Sequence, residues 1–208
     1  MDEDERPLSP EETLRLIEQQ ETVVAKRLIP DMTLHHLAWG AAWFVGFGAF
    51  FLHHGLSGTP YARIPITVAM ALLTGLMALA MLVSVFTVWQ LRSPVHGASQ
   101  ERGSLYGLTW FFGFLAMWMI AVRFGSLLPG PERSLLWASL SMMVVAILYM
   151  VSGIVWPIRP MFVLGAGVAV LNAVGTAAGP GWHALLIAVG AGGGSIVTGL
   201  VSRRRRRR

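Results

Sequence analysis

Six histidines, one asparagine and a run of glycines are the residues of this chain that invite a chemical site. His35-His36 and His53-His54 form two pairs 18 residues apart, which on a helix is about 27 Å, too far to share one ion. Adjacent helical residues diverge by about 100°, so neither pair chelates well by itself. His53, His54 and His183 together would make an outer metal cup, but no acidic residue stands within the apolar stretches to assist it. The expectation is therefore no metal and no cofactor. The pairs read more simply as polar anchors at the two ends of one helix, with His96 in a loop and His183 beside Trp182.

Asn172 is the only asparagine and falls inside one apolar stretch, while Gly190, Gly192, Gly193 and Gly194 fall near the middle of another. Gly190-x-x-x-Gly194 suits close helix packing. Three glycines in succession could instead open a helix and offer backbone carbonyls to a ligand, with Asn172 opposite. Arg123 is the one charge close to a span interior. It either snorkels to the surface or, with Arg133 and His53 nearby, meets an anion or lipid headgroup. Asn172, Gly190, Gly192, Gly193, Gly194 and Arg123 are thus the candidate ligand-binding residues. Arg203, Arg204, Arg205, Arg206, Arg207 and Arg208 are candidates for acidic lipid headgroups, since each basic residue near such a surface is attracted by about 1 kcal/mol. The same tail serves as a stop-transfer signal, and the acidic arm Asp2–Glu5 is its other candidate partner.

What is missing excludes more than what is present. No aspartate or glutamate lies between Asp31 and Glu101 or after Glu132, so the intramembrane carboxylates of proton-coupled carriers are lacking. Two-carboxylate hydrolysis, aspartate-based proteolysis and H-E-x-x-H zinc chemistry lack their parts for the same reason. With no cysteine there are no disulfides or thiolates. The chain is expected not to be an enzyme.

These residues are carried on a framework that is 54% hydrophobic and only 13% charged, against about 25% charged in soluble domains. Residues 64–91 contain no charge, and as a helix they reach roughly 40 Å, enough for a bilayer core of about 30 Å. Six spans are expected, near residues 34–52, 64–91, 105–122, 135–156, 161–176 and 183–202. Both ends then share one side, which carries 13 of the lysines and arginines against 3 on the other (Arg63, Arg123 and Arg133), so the termini face the cytosol. Trp89, Trp156 and Trp182 fall at span ends, where indole rings favour the interface. The acidic start does not resemble a cleavable signal, and the Ala-, Gly-, Val- and Arg-rich composition suggests a bacterial gene.

Before the spans, Ser9, Pro10 and Glu12 form a helix-start signature, a capping box with proline at the first helical position. Leu14, Ile17, Val24 and Leu28 recur at helical spacing, Lys26 and Arg27 suit its C-terminal end, and Pro30 closes it. This predicts a cytoplasmic amphipathic helix, either a cap on the protein's own loops or a partner- or membrane-binding element.

The chain also repeats at an offset of 67 residues. Trp39-Gly40-x-x-Trp43-Phe44-x-Gly46-Phe47 becomes Tyr106-Gly107-x-x-Trp110-Phe111-x-Gly113-Phe114, and Val88-Trp89-x-Leu91-Arg92 becomes Val155-Trp156-x-Ile158-Arg159. The unit is a helical hairpin, with copies near 35–94 and 102–160 and a degenerate third at 161–203. Gly40, Phe44 and Phe47 share a stripe, as do Gly107, Phe111 and Phe114; they read as helix packing or as the lining of a pocket between hairpins.

The fold expected is all-α: a polytopic membrane protein of six transmembrane helices in tandem hairpin repeats. An acidic arm and helix at 1–33 precede the membrane domain at 34–202, and a polyarginine tail at 203–208 follows it. Function narrows to a small transport-type protein or permease subunit for an apolar or weakly polar solute, or a non-catalytic accessory or regulatory membrane protein. The repeat tips the balance slightly to transport. Expected partners are the bilayer, acidic lipids at the cytoplasmic face, and a homo-oligomer or membrane partner subunit. Nucleic acid is not expected, because the positive charge sits at the ends instead of across a face.

Overall fold

The computed structural model describes residues 9–16, 33–90, 98–156 and 158–206, in two units, Met1–Met32 and Thr33–Arg208. In the first unit residues 10–16 form helix α1. Its capping box is formed reciprocally: the Ser9 N–H donates to the Glu12 carboxylate at 2.8 Å, and the Glu12 N–H donates to Ser9 Oγ at 3.2 Å. The expected continuation through Ile17, Val24, Lys26, Arg27, Leu28 and Pro30 lies outside the described residues, as do Asp2–Glu5, Arg92, His96, Arg207 and Arg208.

The second unit is helical throughout its described elements: α2 Thr33–His54, α3 Ile66–Gln90, α4 Ala98–Gly125, α5 Gly130–Val155, α6 Arg159–Ala178 and α7 Pro180–Leu186, with a π-helical segment Ile187–Gly193 leading into α8 Gly194–Arg206. Proline at the first helical positions starts α5, α6 and α7, where its missing N–H leaves no bond unmade. Gly179 alone separates α6 from α7, at φ 103°, a left-handed conformation that glycine adopts without strain.

Five helical stretches are long and apolar enough to cross a membrane: Ile66–Thr87, Glu101–Gly125, Gly130–Val155, Arg159–Ala178 and Pro180–Val201. Six spans were expected, and α2 is the one outside this set. Its 22 residues reach about 33 Å, but His35, His36, His53 and His54 at its two ends dilute its apolar character.

The core lies where α2, α5, α6 and the π segment meet: Trp43, Phe47, Met142, Tyr149, Val168, Ile187 and Ala188 pack there with little or no exposure. Small residues set the spacing. A Cβ on Gly165 of α6 would stand 2.7 Å from the Ala146 carbonyl oxygen of α5, and one on Gly40 of α2 would stand 2.9 Å from the Gly192 carbonyl oxygen. By contrast α3 lies chiefly against α2 and α4 chiefly against α5. Their outer faces expose Leu82 and Phe86, and Phe111, Phe112 and Trp118, the composition that lipid tails accommodate.

The matched motifs find unlike surroundings. Trp43 and Trp110 both pack against Tyr149, at ring separations of 6.3 and 6.2 Å. Gly40 is pressed against the π segment and α8, whereas the space beside Gly107 is open. Phe47 is buried, but Phe44 and Phe111 are exposed, so the aromatic stripe of the sequence does not line one shared pocket.

Candidate functional site

Among the described residues, His183 is the most deeply buried of the polar and charged side chains, 1% exposed. Its placement follows from local chain geometry. The one-residue joint at Gly179 folds α7 back along α6, and Gly175 lets the two helices approach until a Cβ there would lie 2.7 Å from His183 Cα. The His183 backbone N–H donates to the Gly179 carbonyl.

Asn172 faces this ring from α6. Its Nδ2 donates to the Ser139 carbonyl of α5 at 3.0 Å, and its Oδ1 lies 2.8 Å from His183 Nε2. An amide oxygen only accepts, so His183 carries its proton on Nε2 and donates it to Asn172. Phe47 of α2 closes the site, its ring edge-on to His183 at 6.0 Å. The result is a short polar chain, His183 to Asn172 to Ser139, tying α7, α6 and α5 together behind an aromatic wall. Both ends of the Asn172 amide are occupied by protein.

His35, His53 and His54 make their bonds at the two ends of α2. Trp39 Nε1 donates to Ser84 Oγ at 2.9 Å, His35 Nδ1 lies 2.8 Å from the same oxygen, and Ser84 passes its own proton to the Ala80 carbonyl. At the opposite end His53 Nδ1 lies 2.7 Å from the Ile64 carbonyl and His54 Nε2 lies 3.1 Å from Ser134 Oγ. Among the described residues no three of His, Asp and Glu converge on a metal position. His53, His54 and His183 each turn to a different neighbour.

The structure distributes the remaining sequence candidates. Asn172 is not brought to the glycine run. That run stays helical and widens into the π segment: Gly190 packs on Leu171, Gly192 on the backbone of Phe44 and Gly40, and Gly193 and Gly194 adjoin open space. Arg123 is exposed, and Arg133 is held elsewhere, donating to the Gly125 and Leu128 carbonyls at 2.8 and 3.1 Å as a cap on α4. Arg203 and Arg204 are exposed on α8, whose backbone continues through Arg205 and Arg206. Sequence reasoning passed over Ser139 and Ser84, because a serine within an apolar helix carries no spacing signal for its partner.

A groove of about 490 Å³ opens between α6 and α8, lined by Arg159, Pro160, Val163, Leu164, Gly194 and Thr198. Compared with protein-family models, curated proteins and solved structures, the chain matches none.

Proposed function

We propose that this protein is a non-catalytic accessory membrane protein, crossing the bilayer six times with both ends in the cytosol. The observation that carries the reading is the Asn172 amide, engaged at both ends by His183 and Ser139. The side chain best suited to grip a solute at mid-membrane is therefore a structural tie. Phe47 packs edge-on against its partner His183, and Trp43 and Ile187 are buried in the same core. α2 supplies the sixth crossing: it lies along α3, α7, the π segment and α8, and its histidines bond at both ends. The lipid-facing surfaces of α3 and α4, the cytoplasmic arm and the arginine tail are then the parts open to a partner.

The transport-type alternative draws on the π segment, since π turns recur at functional sites. It requires water to reach Asn172 in some state of the bundle. The chain's lack of cysteine makes a direct test available. In intact cells a membrane-impermeant thiol reagent should label Thr59→Cys and Ser126→Cys from outside, label Gly103→Cys only after permeabilisation, and leave Ser195→Cys and Asn172→Cys unlabelled in both conditions. Labelling at both 172 and 195 would favour transport over the accessory role. Labelling of position 103 from outside would reverse the orientation.

A further inference from the structure

We propose that the groove between α6 and α8 binds one acidic glycerophospholipid of the cytoplasmic leaflet, with its phosphate on Arg159 and an acyl chain along Val163 and Leu164. The proposal goes beyond the accessory reading and shares with it only the cytosolic placement of the start of α6.

The two ends of the groove differ in chemistry. Arg159 opens α6, is exposed, and has no hydrogen-bond or ion-pair partner among the described residues. Arg203 and Arg204, also exposed, follow Gly194 on α8 by nine and ten residues, about 14 Å along the axis. The mouth, at Arg159, is therefore basic, and the lining extends five residues along α6 and four along α8, about 6–8 Å. Below the mouth its walls are apolar. The one other polar side chain, Thr198, directs its hydroxyl to the Gly194 carbonyl of its own helix at 2.8 Å, so it offers no free donor to a ligand.

Gly194 gives the groove its room. Its backbone is ordinary right-handed helix, φ −59° and ψ −41°, and a Cβ there would meet nothing within 4 Å. Neither conformation nor helix packing requires glycine at this position, unlike Gly192 one turn-face away, so its small size leaves volume that an occupant can take. That volume, about 490 Å³, falls within the 300–1,000 Å³ usual for small-molecule sites. A guanidinium can take two phosphate oxygens at once, and basic pockets between spans on the cytoplasmic side accept acidic headgroups. One cation above an apolar trench matches a lipid with a charged head and a hydrocarbon tail.

The test uses the purified full chain, stripped of lipid in mild detergent and offered equal amounts of phosphatidylglycerol and phosphatidylcholine, with retained lipid counted by native mass spectrometry. The wild type should retain one phosphatidylglycerol in preference to phosphatidylcholine. Arg159→Gln should lower that retention about fivefold, the ratio given by one basic residue's attraction to acidic lipid. Gly194→Leu and Val163→Trp fill the groove from opposite walls and should each reduce retention to background with an unchanged unfolding temperature. Should one of them fail to fold, the other still decides, since Val163 is on the surface. Replacing Arg203 and Arg204 with glutamine should leave most of the retention in place. Equal retention of the two lipids by the wild type would overturn the proposal. So would wild-type retention in the folded groove-filling variants, or displacement of the lipid by millimolar inorganic phosphate, which would mark a site for the anion alone.

Discussion

Cutting the bond between His183 and Asn172 tests how the interior is held. Asn172→Leu keeps the volume but removes the acceptor for His183 Nε2–H and the donor to the Ser139 carbonyl. The two losses are unequal. The Ser139 oxygen lies inside α5 and retains its place in that helix's own ladder. The His183 N–H, in a ring 1% exposed, loses its acceptor. In a soluble core an orphaned donor costs about 1–3 kcal/mol. Hydrogen bonds between spans average about 0.6 kcal/mol and reach about 1.7, because unfolded spans in lipid find other partners. The membrane figure applies here, and the near-complete burial and the 2.8 Å separation put this bond at the upper end. Asn172→Leu and His183→Phe should each destabilise by about 1–2 kcal/mol, whereas the double variant, with both partners replaced by apolar groups, should cost about 1 kcal/mol less than their sum. Unfolding by sodium dodecyl sulfate in mixed micelles, followed by the fluorescence of the eight tryptophans, gives the three values. Additivity within about 0.3 kcal/mol would refute the claim that the two side chains are coupled.

The two copies of the W-G motif should respond with opposite signs. Gly40→Ala pushes a Cβ to 2.7 Å from Ile196 Cγ1 and should cost about 1–3 kcal/mol, whereas Gly107→Ala meets nothing and should gain up to about 1 kcal/mol of helix propensity, both read in the same micelle assay. At α1 the Ser9 backbone N–H, and then its hydroxyl, hold the Glu12 carboxyl below its ordinary value of 4.5. A lowered folded value means that this cap stabilises the helix above about pH 4.5 and fades as pH falls through the lowered value; the helical content of a peptide covering residues 9–16 should fall there by circular dichroism, and Glu12→Gln should abolish that pH dependence.

Those positions also mark what the amino-acid order reveals and what it conceals. Long uncharged runs leave helices as the only backbone solution in lipid, so α3 to α8 could be read directly, and the Ser9-to-Glu12 spacing told where α1 starts. That the paired histidines bracket one apolar helix was legible as well, but the bonds of His35, His53 and His54 to Ser84, Ile64 and Ser134 were not. α2 was harder, because the residues that fix it in place are the ones that lower its apolar character. The partner of Asn172 was not legible. His183 is 11 residues away across a turn, and only the left-handed Gly179 makes the two face each other. The motif shared by Gly40 and Gly107 encodes a helix surface but not what covers it, and in this fold one copy meets α8 while the other does not.

The π segment leaves a mark on everything downstream of it. A turn closed by one extra residue rotates the rest of the helix by about 100° relative to an uninterrupted α-helix. Ala191 and Gly192 can thus pack inward against α2 while Gly194 and Thr198 border the trench beside α6. The glycine-rich stretch acts as a phase shifter, setting the facing of the C-terminal half of its helix independently of the half that holds His183. Inserting or deleting a single residue there would re-aim the whole basic end without touching any of its side chains.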